Sequence, residues 1–215
     1  MNRPAVLTSG ASLARARAAV IMLHGRGAPA ENMLSFAEAF DQTDIAYLAP
    51  QAPGSTWYPH SFLAPIEQNE PALSEALQTV ADISAYLATH GFTPDRSVLL
   101  GFSQGGCLAL EYAARNAQRY GGLVGLSAGL IGPPGAPRDY LGSLAATPVF
   151  VGCSDVDFHI PVGRVHESAE VLRRLGGDVT ERIYPGMAHT INDDEVRHVR
   201  RMLAGLSGPN PARPD

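Results

Sequence analysis

Short aliphatic runs recur along the chain, each followed by a turn signal and then by a stretch in which apolar residues return every three or four positions. The runs Val20–Leu23, Ile45–Ala49, Val98–Leu100, Leu123–Leu126, Val149–Gly152 and Val179–Ile183 predict strands. All but the last are nearly continuous in apolar side chains, as strands covered on both faces of a parallel sheet must be. The mixed pattern of the last predicts a place nearer an edge. Leu73, Leu77, Val80, Ile83 and Leu87 form one apolar face between Pro71 and His90, with Pro71 suited to a first turn and Gly91 just past the end. Further helical patterns begin at Cys107, run from Arg164 to Leu175 before Gly176-Gly177, and start at the capping-box-like Asn192–Glu195, reaching about Leu206. This alternation predicts an α/β fold with a mostly parallel central sheet and helices on both faces. No repeat or composition shift divides the chain, so a single domain is expected over 1–215. It would have an N-terminal segment at 1–17 and a Pro/Gly-rich tail at 207–215 that frays. Two Pro/Gly-rich inserts, 50–71 and 132–137, are expected to decorate the strand ends, where such folds keep their binding surfaces.

Composition narrows the chemistry. The 215 residues carry 16 basic and 21 acidic side chains, a formal net charge of -5, and 45% hydrophobic residues, which is a globular balance. All the basic residues are Arg. Without lysine the chain can form no Schiff base through a side-chain amine and no phosphate-cradling loop of the kind that ends in Gly-Lys. An acidic chain without a basic run also argues against nucleic acid as a partner. Two cysteines, Cys107 and Cys153, are too few for a disulfide framework or a four-ligand zinc site, which fits a reducing compartment; no metal or cofactor is expected. The N-terminal stretch lacks the apolar core of a secretory signal, and Ala18–Leu23 is far too short to span a bilayer. A cytoplasmic protein with no integral membrane segment is therefore expected.

The sharpest motif is Gly101-Phe102-Ser103-Gln104-Gly105, set between a predicted strand and a predicted helix. Gly-x-Ser-x-Gly in that context is a nucleophile elbow, a turn so tight that only glycine fits on either side of the serine. A serine hydroxyl needs a base within hydrogen-bond reach and a third group to orient that base. In this arrangement an acid and then a histidine follow the serine in chain order, each just beyond a strand. Asp155 and Asp157 lie beyond Val149–Gly152, and His189 lies beyond the strand ending near Tyr184. An oxyanion needs two preorganised donors, and the candidates are the backbone N–H of Gln104 and that of Arg26 in the turn His24-Gly25-Arg26-Gly27. His24 is read as shaping that turn, and His159 as a candidate for the pocket wall. His60, His90, His166 and His198 are read as solvated or capping residues. Cys107, one helical turn beyond Ser103, is expected to pack in the core rather than react.

Together, Leu23–Ala28, Gly101–Gly106, Gly152–Pro161 and Tyr184–His189 resemble the phospholipase/carboxylesterase family of α/β-hydrolases, relatives of the acyl-protein thioesterases, over roughly residues 18 to 205. The resemblance implies a hydrolase fold without a large cap domain, a metal-independent serine mechanism, and activity on carboxylic esters or thioesters. It assigns the acid to Asp157, four residues before Pro161, with Asp155 as the runner-up. It also carries the oxyanion role onto Arg26 and Gln104 and sets Trp57 beside the acyl pocket, although Trp57 by itself could equally belong to the core. Cys153-Ser154 and Phe158 depart from the family's usual His-Gly and Pro.

The expectation is thus a serine esterase that works through an acyl-enzyme with Ser103, His189 and Asp157, on a small-molecule ester, thioester or lysophospholipid. Trp57, Tyr58, Phe62 and His159 are its tentative pocket. Acyl transfer by the same three residues, or binding of a small ligand without catalysis, are the rival readings. The apolar inserts call for a cover, either substrate or the second subunit of a homodimer.

Overall fold

The computed structural model describes residues 5–206. A seven-stranded sheet forms its centre, built from β1 (Val6–Gly10), β2 (Ala18–Leu23), β3 (Ile45–Pro50), β4 (Ser97–Phe102), β5 (Gly122–Leu126), β6 (Pro148–Ser154) and β7 (Asp178–Tyr184). The strand order is β1-β3-β2-β4-β5-β6-β7; β1 pairs antiparallel with β3, and every other pairing is parallel. Among the described residues four α-helices connect strands, α1 (Glu31–Glu38), α2 (Ala72–Thr89), α3 (Gln104–Arg115) and α4 (Val162–Arg174), and α5 (Asp193–Ala204) follows β7.

The continuous apolar runs have the cause that their sequence implied. In β2, Ala18, Val20 and Met22 belong to one core cluster with Met33 and Ala37 of α1 and with Val199 and Leu203 of α5. The alternate residues Ala19, Ile21 and Leu23 belong to the cluster on the other face, which side chains of α2, α3 and α4 complete. A strand sandwiched in this way has no solvent face, so both of its period-2 sets must be apolar. β7 is an edge strand whose residues alternate between exposed and half-buried.

The residues before β2 correct the sequence reading. Part of the expected N-terminal segment at 1–17 is the strand β1, whose Val6, Thr8 and Gly10 are exposed. An edge strand whose last three residues are Thr8, Ser9 and Gly10 carries too little apolar signal to be read from periodicity. The tail at 207–215 lies outside the described residues.

The topology also locates the crevice. From β2 the chain steps outward through α1 to β3, then crosses back over the opposite face through α2 to β4. The turns that follow β2 and β4 therefore diverge to opposite faces at the carboxyl edge of the sheet, which opens a gap between them.

Candidate active site

Ser103 sits at the tip of the turn from β4 into α3, with φ 53° and ψ -120°. A non-glycine residue adopts that conformation only when its surroundings enforce it. Here the sheet and helix do so by approaching too closely for side chains. A Cβ on Gly101 would lie 2.3 Å from the Gly105 carbonyl, and one on Gly105 would lie 2.2 Å from the Leu23 carbonyl oxygen. The serine amide is held by the Leu126 carbonyl at 2.9 Å.

His189 comes from the loop after β7. Its Nε2 lies 2.9 Å from Ser103 Oγ and its Nδ1 lies 2.6 Å from Asp157 Oδ2. Asp157, from the loop after β6, accepts further hydrogen bonds on Oδ1 from the amides of His159 (2.8 Å) and Ile160 (3.1 Å). Burial alone would raise its pKa, but the hydrogen bond from His189 and those two amides outweigh burial and hold the carboxyl below its ordinary range. A carboxylate fixed in this way orients Nδ1–H toward itself and leaves Nε2 to accept the serine proton. Asp155 points elsewhere and accepts the Gly186 amide at 2.8 Å. The His189 ring is flanked by Phe102 and His159, with ring centroids 4.9 and 4.8 Å away.

Two loops complete the surroundings. Gln104 opens α3, where the first amides of a helix have no intrahelical acceptor and carry its positive dipole end. In the turn after β2, Gly27 and Ala28 donate their amides to the carbonyls of Ser55 and Gly25, while among the described residues no protein acceptor takes that of Arg26. The side chains of these same two residues brace the insert that follows β3. Gln104 accepts the Trp57 amide at 3.0 Å and donates to the Tyr58 carbonyl at 2.7 Å. The Arg26 guanidinium donates to the carbonyls of Tyr58, Pro59 and His60 at 2.9, 2.9 and 2.7 Å. Fully buried His24 anchors the turn from below. Its Nδ1 lies 2.8 Å from the Gly25 carbonyl, and its Nε2 accepts the Ala52 amide at 3.1 Å. Those partners require the neutral ring protonated on Nδ1, and burial lowers its pKa in the same sense.

The cleft above Ser103 encloses about 450 Å³. Tyr58, Phe62 and His159 line it, as do Arg26 and Gln104. Trp57 stands behind the wall instead: it is 4% exposed, its indole Nε1 donates to the His24 carbonyl at 2.8 Å, and its ring packs on that of His24. Several lining residues escaped the sequence reading, His60, Phe102 and Ile160 among them. His60, expected to be solvated, is exposed and also lines the cleft, with its backbone held by Arg26 and Asn69. Phe102 belongs to the elbow motif itself, and that position was its only signal. Ile160 had none beyond its neighbour Pro161. Cys107 lies at the floor with its thiol pushed up to about 12 by burial, so it stays protonated and unreactive. Among the described residues no helix is long and apolar enough to cross a membrane, and no cluster of His, Cys, Asp or Glu could hold a metal ion.

Comparison with known proteins gives one consistent answer. Residues 8–207 match the family model described as Phospholipase/Carboxylesterase. A phospholipase/carboxylesterase crystal structure from Dyadobacter fermentans superposes with a TM-score of 0.90 at 41% identity, covering 95% of this chain and 99% of that one. Acyl-protein thioesterase 1 of Saccharomyces cerevisiae is 26% identical over 92% of this chain and 96% of its own length. The acyl-protein thioesterase 1 of Gibberella zeae is 35% identical over a shorter stretch, 53% of this chain and 49% of that protein. With the parallel hydrolase sheet and no large cap among the described residues, the chain belongs to the phospholipase/carboxylesterase family of α/β-hydrolases.

Proposed function

We propose that this protein hydrolyses carboxylic esters, and thioesters of similar shape, through an acyl-enzyme on Ser103. The observation that carries the reading is the unbroken line Ser103 Oγ, His189 Nε2, His189 Nδ1, Asp157 Oδ2 at 2.9 and 2.6 Å. His189 takes the serine proton as Oγ attacks the carbonyl carbon, and the amides of Arg26 and Gln104 receive the charge that develops on oxygen. The imidazolium, stabilised by Asp157, then protonates the departing alcohol or thiol. Water, deprotonated by the same ring, repeats the sequence on the acyl-enzyme. The names of the yeast and fungal relatives support thioesters as a second leaving group, since sulfur departs through the same proton transfer.

The test is mass spectrometry after treatment with a fluorophosphonate, run beside hydrolysis of chromogenic esters from acetyl to long-chain acyl. A single adduct on Ser103, and a loss of roughly 10⁴-fold or more in kcat/KM for Ser103→Ala, is the expected result. An unlabelled protein that turns over no ester, or a Ser103→Ala variant with near-normal turnover, would sink the reading.

A further inference from the structure

The cleft has a charge pattern that a neutral ester would not require. No Asp or Glu lines it, while Arg26, His60 and His159 do, in a chain whose net charge is -5. The Arg26 guanidinium spends its hydrogen bonds on three carbonyls and pairs with no carboxylate among the described residues, so its positive charge is not neutralised. His60 and His159 are fixed through their backbones: the His60 amide donates to Asn69 Oδ1 at 2.8 Å and the His159 amide to Asp157 Oδ1 at 2.8 Å. Neither imidazole makes a hydrogen bond to another described residue. An imidazole offers an N–H donor whether neutral or charged. The site therefore presents one fixed cation and two imidazoles without hydrogen-bond partners among the described residues, all three at exposed positions along the cleft.

The lining is mixed. Tyr58, Phe62, Cys107 and Ile160 supply its buried, largely apolar part. His159 lies against His189, the ring that hands a proton to the departing atom, and next to it Phe158 is 86% exposed. The leaving portion of a substrate therefore departs beside the His159 imidazole. We propose that the site takes esters or thioesters with a compact apolar acyl portion and a leaving portion that carries an anionic group, a carboxylate or a phosphate, received by His159 and His60 in the field of Arg26. The proposal rests on the serine-hydrolase reading of Ser103.

The experiment compares kcat/KM for the acetate esters of 4-hydroxybenzoate, of 4-hydroxyphenyl phosphate and of 4-hydroxybenzamide, the last being a neutral match for the first. The expected result is a preference of about tenfold or more for an anionic ester over the amide, shrinking as ionic strength rises. That ratio should fall in the His60→Ala/His159→Ala double variant, which removes both N–H donors at exposed positions. Preference for one anionic ester alone identifies its group as the carboxylate or the phosphate. A wild-type ratio at or below one, or a ratio that the double variant leaves unmoved, overturns the proposal while the hydrolase reading stands. Failure of all three esters to turn over overturns the proposal, while the hydrolase reading is decided separately by the fluorophosphonate adduct on Ser103.

Discussion

Asp155 and Asp157 stand two residues apart on one loop, and their environments divide the work between them. Asp157 accepts from His189, His159 and Ile160 with its side chain out of solvent, whereas Asp155 is exposed and accepts one turn amide. Asp157→Asn would leave the loop's shape nearly intact but present an amide to His189 Nδ1, favouring the wrong tautomer. A loss of about 10⁴-fold in kcat is expected. Asp155→Asn keeps an acceptor for Gly186 and should cost less than about tenfold. Steady-state kinetics on one chromogenic ester checks both, and a reversed order would transfer the acid's role to Asp155. The sequence reading left two acids open at this point, because spacing after a strand fixes a residue's position only to within a turn. Which carboxyl turns inward depends on amides that no motif displays. His60 and Trp57 show the same limit in opposite senses. His60, read as solvated, is exposed and also lines the cleft, while Trp57, read as pocket, stands behind it; the insert that carries both is held by side-chain hydrogen bonds from Arg26 and Gln104, residues whose candidate role had been read from their backbone alone.

At the scale of elements, the turn between β4 and α3 holds the helix against β2 with no room for a single methyl group. Gly105→Ala would set a Cβ 2.2 Å from the Leu23 carbonyl, which is backbone and cannot rotate aside, so strand and helix must part. We expect a loss of about 3 kcal/mol in urea denaturation, together with lost activity, because Leu23 leads directly into the Arg26 turn. Wild-type stability would mean that the elbow is looser than its contacts indicate. The start of α5 has a different weak point. Glu195 closes a capping box with Asn192, its Oε2 accepting the Asn192 amide at 2.9 Å, but it is fully buried and its Oε1 has no partner. Burial raises its carboxyl from 4.5 to about 7. The folded protein thus holds this proton more tightly than the unfolded chain does. The stabilisation from it is complete below pH 4.5 and is lost as pH rises through 7, an effect of about 3 kcal/mol. Glu195→Gln cannot ionise, so its unfolding free energy should gain on that of the wild type by this amount between pH 4.5 and pH 8; parallel curves would contradict the buried ionisation. The helix start was legible as Asn192–Glu195. That its carboxyl would be buried was not, since a capping residue usually faces water. The short helix α1 was missed for a related reason: Ala30 precedes it and supplies no side-chain cap, so nothing in the sequence marks its start.

Across the whole molecule, the absence of lysine becomes a structural feature. Guanidinium groups tie segments that are remote in sequence by donating to several acceptors at once, which a point-like ammonium does less well. Arg164 Nη1 holds the carbonyls of Leu130 and Gly132 at 2.7 and 2.6 Å while its Nε meets Glu167, pinning the chain after β5 against α4. Arg17 joins the two ends of the fold. Its Nε pairs with Asp44 at 2.6 Å, its Nη1 donates to the Leu206 carbonyl at 2.8 Å, and its Nη2 donates to Gln42 and to the Leu203 carbonyl at 3.0 and 3.1 Å. Its own carbonyl receives Arg96 Nη2. One side chain, 14% exposed, thus fastens the start of β2, the turn before β3 and the end of α5. Truncating it strands buried carbonyls rather than merely removing a surface ion pair. Arg17→Ala is therefore expected to cost about 2 kcal/mol and lower Tm by about 4–8 °C. Arg17→Lys should recover less than half of that loss, because one ammonium cannot span Asp44 and the carbonyls of Leu203 and Leu206 together. Since the clamp lies away from the cleft, kcat/KM measured well below Tm should stay within about twofold of wild type. Full rescue by lysine would show that charge alone, rather than the fork of the guanidinium, holds the ends of this fold together.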